Sequence, residues 1–160
     1  MSSKNVTFCF DMDGTFVNFY GVKNWLEMLQ SYDATPYRIA KPLINLNTFA
    51  RQLNAVQRKG AKIVIISWCS KNSTNEYNEE VIQAKKQWLK NHLPSVSWDE
   101  IYIVPYGTNK AKVCGVHEDE NFFLFDDEQQ NRHMWRKEGG FAYSNESITE
   151  TLWEYNHSRL

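Results

Sequence analysis

Cysteine is scarce in this chain of 160 residues, and Cys9, Cys69 and Cys114 are odd in number and far apart. Neither the close cysteine pairs of a zinc ribbon nor the density of a disulfide scaffold is there, so reduced thiols in a cytoplasmic protein are expected. Long apolar runs are missing as well. The longest, such as Ile63 to Ile66, fall far short of the roughly 18 residues a membrane helix needs, and the segment from Met1 to Phe8 lacks the build of a signal peptide. No membrane partner is expected. Nor is there an excess of either charge: 18 basic residues stand against 19 acidic ones, for a formal net charge of -1. With no block of like charge, nothing points to an electrostatic grip on long nucleic acid, and any phosphate on a partner must be met by local chemistry.

What the chain does have is apolar and aromatic mass, 42% and 14% of its residues, enough for one well-packed core, so a single domain over residues 1–160 is expected. Four short runs rich in β-branched or aromatic residues do not alternate with polar ones: residues 6–10, 62–67, 100–106 and 121–127, with a weaker fifth at 140–144. Such runs fit strands buried on both faces, as a parallel sheet requires. Between them lie helical patterns. Leu46, Phe49, Leu53 and Val56 recur at helical spacing up to Gly60; a second helix covers about Glu79 to His92, ahead of Pro94; a third covers Glu128 to Lys137. The last starts near Ser147, where Ser-Ile-Thr-Glu reads as a capping box. The alternation predicts an α/β fold: a three-layer α/β/α sandwich on a mostly parallel, Rossmann-like sheet. Residues 16–45 break it. Aromatic-rich and interrupted by Gly21, Pro36 and Pro42, they predict a small flap or cap of one or two short helices.

In open α/β sheets, ligands bind at the carboxyl ends of the strands. The first strand ends in Asp11-Met12-Asp13-Gly14-Thr15, the second in Ser67-Trp68-Cys69-Ser70 and the fourth in Asp126-Asp127, while Lys110 lies in a loop after the third. Taken alone, Asp13-Gly14 could be a solvated turn, Ser67 a helix cap and Lys110 a surface lysine, with Lys112 an alternative two residues on. Two successive acids after Phe122-Phe123-Leu124-Phe125 are costly to bury unless a cation is near. His92, His117, His133 and His157 show no ligand spacing, and Cys69 has no histidine placed nearby in sequence to serve it as a base.

The four groups in this order, each at a strand end or the loop after one, resemble the four motifs of the haloacid dehalogenase (HAD) superfamily of phosphatases. The resemblance implies a Mg²⁺-dependent phosphomonoester hydrolase. In it Asp11 is the nucleophile that forms an aspartyl-phosphate, and Asp13 protonates the leaving oxygen and then deprotonates water. It further implies that Ser67 and Lys110 bind the phosphoryl oxygens and that Gly14 lets the chain turn beside the phosphate. The metal would be held by Asp11, the Asp13 carbonyl, and Asp126 or Asp127. Gln130 and Asn131 stand where many members carry a further aspartate. The stretch from Asp11 to Phe19 is also similar to 5'-nucleotidase and deoxyribonucleotidase members, which implies a nucleotide substrate with Phe19 facing it. Gly14, Thr15, Phe19 and Trp68 are the substrate-binding candidates. A small cap leaves a cleft open to larger phosphorylated substrates or to closure by a second subunit in a homodimer. Two readings compete with a small phosphorylated substrate: a phosphatase for polynucleotide ends, and a phosphate-binding or nucleotide-binding regulatory module without turnover.

Overall fold

The structure, a computed structural model, describes residues 5–158. The first apolar run forms β1 (Val6–Phe10), followed by the short β2 (Val17–Asn18), a 3-10 turn at Phe19–Gly21, α1 (Trp25–Gln30), α2 (Thr35–Ile39) and β3 (Lys41–Pro42). The chain continues through α3 (Leu46–Arg58), β4 (Lys62–Trp68), α4 (Asn75–His92), β5 (Glu100–Val104) and α5 (Lys110–Cys114). It ends with β6 (Asn121–Phe125), α6 (Gln129–Lys137), β7 (Phe141–Tyr143) and α7 (Ile148–Asn156).

Five strands make one parallel sheet in the order β5-β4-β1-β6-β7, with β1 at its centre. Successive side chains of a strand point to opposite faces, so each apolar run feeds two cores. On one face Phe8, Phe10, Ile63, Ile65 and Phe125 meet Phe49 and Leu53 of α3, Trp88 and Leu89 of α4 and Leu152 of α7. On the other, Cys9, Val64, Ile66, Phe122 and Leu124 meet Ala111 of α5 and Trp135 of α6. This is the expected three-layer sandwich, and burial on both faces is why the runs do not alternate. Among the described residues no helix is long and apolar enough to cross a membrane.

The segment after β1 contains the two short helices expected there, α1 and α2, and also a feature that its sequence hid. β2 and β3 pair antiparallel, Val17 with Pro42 and Asn18 with Lys41, and so fasten the two ends of the insertion together. The flap has a small core of its own. Phe19, Ala34 and Tyr37 pack on Tyr77, Val81 and Ala84 of α4, with Trp25 and Leu29 against them. Tyr77 donates its hydroxyl to the Asp33 carbonyl at 2.8 Å, and the Trp88 indole donates to the Ala40 carbonyl at 2.7 Å, so α4 holds the flap at two points.

Local chemistry moved three boundaries. α4 starts four residues ahead of Glu79 because the Thr74 hydroxyl accepts from the Tyr77 amide, which caps the helix at Asn75. Lys110 heads a one-turn helix instead of lying in a loop, because the Asn109 side chain accepts from the Lys112 amide. The capping box at Ser147 does not form. A 3-10 turn at Asn145–Ser147 leaves Ser147 with helical dihedrals (φ -90°, ψ -3°), whereas a side-chain cap needs extended backbone.

Trp88 is 1% exposed and ties the sheet-facing core to the flap. Replacing it with Phe removes one hydrogen bond and part of a buried ring, and we expect a loss of about 1–3 kcal/mol, read as a lowered urea midpoint at unchanged m-value. An unchanged midpoint would mean that the bond to Ala40 contributes nothing to stability.

Candidate active site

The chain runs outward from β1 through β4 and β5, then returns to the other side of β1 for β6 and β7. The crossovers therefore diverge at the carboxyl ends of β1 and β6, the place where an open α/β sheet has a crevice. Phe10 pairs with Phe125 in register, so Asp11 and Asp126 leave adjacent strands side by side. Backbone bonds extend the ladder past both strand ends: the Asp11 amide donates to the Phe125 carbonyl at 3.0 Å, and the Asp126 amide to the Tyr143 carbonyl at 3.1 Å. The two carboxylates are thereby fixed by the sheet itself.

Asp11, Asp126 and Asp127 each bring a carboxylate oxygen to within 4.8 Å of the others. The turn after β1 makes room for them. The amides of Thr15, Phe16 and Val17 all approach the Met12 carbonyl, at 3.1 to 3.2 Å, and Gly14 sits at φ +79°. A Cβ at Gly14 would overlap the Asp127 carboxylate, so glycine is required there both by its dihedral and by the close approach of an acid. Thr15 is fully enclosed. Its hydroxyl lies 3.0 Å from Asp11 Oδ2 and 3.3 Å from Asp127 Oδ1, and it accepts from the Asp127 amide at 3.2 Å. Expected at the substrate, Thr15 instead latches the end of β1 to the end of β6.

Lys110 projects between the acids, with Nζ 2.9 Å from Asp11 Oδ1 and 2.8 Å from Asp126 Oδ2, while Lys112 is exposed. Asp126 is fully buried and has four further contacts through its side chain and backbone neighbours. Its Oδ1 accepts from the Glu128 amide at 2.9 Å, its Oδ2 from the Asn131 amide nitrogen at 3.2 Å, and its carbonyl from the Arg132 guanidinium at 2.9 Å, while its own amide extends the sheet. Asn131 thus supports Asp126 from the position where a further aspartate was absent, while Gln130 is exposed.

The electrostatics follow from crowding. Burial first, then the charge of Asp11, pushes the Asp126 carboxyl up to about 6, against the pull of Lys110. The same two causes push Asp127 up to about 8. Burial alone would lower the Lys110 ammonium, but the charges of Asp11 and Asp126 outweigh it and hold the group protonated. An all-oxygen, carboxylate-rich donor set of this kind fits a hard divalent cation such as Mg²⁺, which would be held by Asp11, Asp126 and Asp127.

Asp13 stands apart from the cluster. Its Oδ2 is 2.9 Å from the ammonium of Lys85, a residue the sequence reading passed over. Lys85 is 1% exposed on α4, with Nζ also 2.6 Å from Ser67 Oγ and 2.7 Å from the Trp68 carbonyl, and 5.1 Å from the centre of the Tyr37 ring. A signal was present: Lys85 lies four residues after Val81, three before Trp88 and four before Leu89, squarely in the buried stripe of its helix. Burial raises the Asp13 carboxyl above the usual range, and Lys85 opposes that rise. Ser67, expected to face a ligand directly, is fully enclosed and accepts from Lys85.

Above these groups opens a cavity of about 440 Å³. Asp11, Asp13, Lys110 and Asp127 line its floor; Tyr20, Trp25 and Tyr32 of the flap line one wall, and Trp68 and Tyr106 another. Trp68 packs 4.8 Å from Tyr106, donates its indole to the Thr108 carbonyl at 2.9 Å, and has the Lys110 ammonium 5.1 Å from its ring centre. Phe19 reaches the wall but is 2% exposed, because its ring packs on Tyr37 at 4.5 Å in the flap core. The residues that turn open aromatic surface to the cavity are Tyr20, Tyr32 and Tyr106, which are 50%, 49% and 50% exposed. Cys69 is at the rim, and burial raises its thiol, which disfavours the thiolate a nucleophile needs.

No family model matches the chain, and no curated protein sequence does. Solved structures do. D,D-heptose 1,7-bisphosphate phosphatase from Burkholderia thailandensis superposes with a TM-score of 0.60 at 9% identity, over 97% of this chain and 100% of that one. A HAD family enzyme from Bacteroides thetaiotaomicron, in its magnesium complex, superposes with a TM-score of 0.51 at 12% identity, over 89% of this chain and 93% of that one. At such identities the likeness speaks for the fold, which is the HAD fold across nearly the whole chain.

The raised carboxyls fix a sign for pH. A group whose folded pKa lies above its unfolded value stabilises the fold at low pH, and that contribution is lost as pH rises through the folded pKa. Between pH 5 and 8.5 the metal-free protein should lose thermal stability as Asp126 (about 6) and Asp127 (about 8) ionise. Millimolar Mg²⁺ should restore the midpoint at pH 8 and do little at pH 5. A midpoint that rises with pH without metal, or is indifferent to Mg²⁺ at pH 8, would mean that the three acids do not form a cation site.

Proposed function

We propose that this protein is a Mg²⁺-dependent phosphomonoester hydrolase that acts on a small phosphorylated substrate, a nucleoside monophosphate above all. The observation that carries the proposal is the floor of the cavity: three carboxylates and a buried lysine at one strand crevice, with a fourth carboxylate, Asp13, held apart from them. A binding module has no use for a separate acid that lines the same cavity. Phosphoryl chemistry needs one.

Bound Mg²⁺ would screen the repulsion between the phosphate dianion and the attacking carboxylate. Asp11, the nucleophile, has its carboxylate oriented by Lys110 on one oxygen and Thr15 on the other. It attacks phosphorus; the bond to the leaving oxygen breaks, and Asp13 supplies the proton that oxygen takes up. In the second half a water attacks the aspartyl-phosphate, Asp13 accepts its proton, and the phosphorus bond to Asp11 breaks to return the carboxylate. One hard displacement becomes two easier ones. Lys110 neutralises charge on the transferring phosphoryl group, while Ser67, enclosed beneath the cavity, serves as a partner of Lys85.

The substrate class rests on the walls. A cavity of about 440 Å³, with open tyrosine faces on the flap and on the loop after β5, suits a phosphate followed by a planar ring. Lys71 and Lys110 are the cations among its lining residues, fewer than a polynucleotide end with its row of phosphates would call for.

Asp11→Asn should abolish phosphate release while leaving the fold intact by circular dichroism; retained turnover would sink the aspartyl-phosphate mechanism. Tyr106→Ala should raise KM for a nucleoside 5'-monophosphate roughly 5-fold or more, from the loss of about 1–3 kcal/mol of stacking, with little effect on glycerol phosphate. Equal effects on the two substrates would remove the nucleotide assignment and leave the chemistry standing.

A further inference from the structure

We infer that Lys85 is a positioning residue for the acid and base Asp13, and that it acts by holding one carboxylate oxygen so that the other meets the substrate. The inference rests on the phosphatase reading above and adds to it a residue from α4, a helix that supplies none of the four groups at the strand ends and loop.

The ammonium of Lys85 has three hydrogens and three acceptors: Asp13 Oδ2 at 2.9 Å, Ser67 Oγ at 2.6 Å and the Trp68 carbonyl at 2.7 Å. Its donor capacity is therefore used in full. The Trp68 carbonyl and Ser67 belong to the end of β4, so two of the three partners are fixed by the sheet, and the third is Asp13. The Tyr37 ring centre lies 5.1 Å from the ammonium, and Tyr37 is itself held by a short hydrogen bond to Ser70. A lysine stem has many rotamers, but this one is buried in the stripe of α4 between Val81 and Trp88 and has none to spare. Asp13 lines the cavity, whereas Lys85 and Ser67 do not. The bond from Lys85 to Oδ2 thus comes from behind the carboxylate and leaves Oδ1 as the oxygen directed at the leaving group. A buried ammonium needs compensation, and a solvent-facing lysine such as Lys86, next in the chain, would serve the helix as well. What a solvent-facing lysine could not do is hold Asp13.

The test separates positioning from general packing. Lys85→Met keeps the length of the stem and removes the ammonium, and Lys85→Gln keeps a donor in its place should the Met variant fail to fold. An alkyl phosphate needs its leaving oxygen protonated, and p-nitrophenyl phosphate hardly does. The ratio kcat/KM reports the transfer to Asp11 and not the later hydrolysis, in which Asp13 is the base for both substrates. We expect kcat/KM for the alkyl phosphate to fall by roughly 100-fold, within the usual range for a lost acid, and kcat/KM for the aryl phosphate by less than about 5-fold. In an Asp13→Ala background, where the acid is already gone, Lys85→Met should cause no further loss. Equal losses on the two substrates, or a further loss in the Asp13→Ala background, would overturn the inference and leave the phosphatase reading intact. A wild-type protein inactive on both substrates would overturn the phosphatase reading instead. Independently of turnover, a crystal structure of Lys85→Met should show the Asp13 carboxylate displaced, and an unmoved carboxylate would also overturn the positioning role.

Discussion

Four carboxylates crowd the carboxyl edge of this sheet, and their mutual repulsion is the constraint the rest of the architecture answers. Asp11, Asp126 and Asp127 share one small volume, and Asp13 lies two residues from the first of them. Like charges this close in a low-dielectric setting cannot all stay ionised without cations. The protein supplies two, Lys110 from α5 and Lys85 from α4, both almost wholly buried. With all six groups ionised, four negative and two positive charges leave an excess of two negatives, the charge that a single divalent cation cancels. The raised carboxyls of Asp126 and Asp127 express the same imbalance in the absence of that cation.

The fold is what makes the crowding affordable. A parallel sheet aims the carboxyl ends of its strands at one edge, and the register between β1 and β6 brings Asp11 and Asp126 out side by side. Because the acids grow from strands buried in two hydrophobic cores, their repulsion works against packing that cannot yield locally. The turn from Met12 to Val17 adds the last adjustment. Gly14 surrenders its side chain to the Asp127 carboxylate, and Thr15 uses one hydroxyl to fasten both ends. Strand register and turn thus both answer to the same cluster of charge.

Much of this was legible in the linear order. Non-alternating runs such as Ile63 to Ile66 announced strands covered on both faces, and the acids at their ends announced the crevice. What could not be read was whatever depends on a partner distant in sequence. The pairing of Val17 with Pro42 joins residues on opposite sides of the flap, and two-residue strands carry no periodicity. Thr15 looked like a ligand contact because its partner Asp127 lies 112 positions away. Phe19 looked like a substrate contact because the Tyr37 ring that covers it is supplied by a separate helix. Ser147 failed as a cap for a local reason: it ends a 3-10 turn and has helical dihedrals where a cap needs extended ones. Lys85 is the instructive case. Its helical spacing placed it in the buried stripe, yet a lysine among Lys86 and Lys90 reads as surface until the acid it answers is known.

α4 joins these themes. Its first half carries Tyr77, Val81 and Ala84 into the flap core, its middle carries Lys85 to Asp13, and its second half sends Trp88 and Leu89 into the main core. The flap is therefore no loosely hinged lid. Its core is packed on the same helix that holds the acid, and Tyr37 touches both the Phe19 ring and the Lys85 ammonium. A displacement of the flap large enough to open the aromatic wall would have to uncover a buried charge, and uncovering it means re-solvating an ion pair that packing now keeps dry. The aromatic wall and Asp13 are in this sense one mechanical unit, because the packing that seats the flap is the packing that holds Lys85 against Asp13.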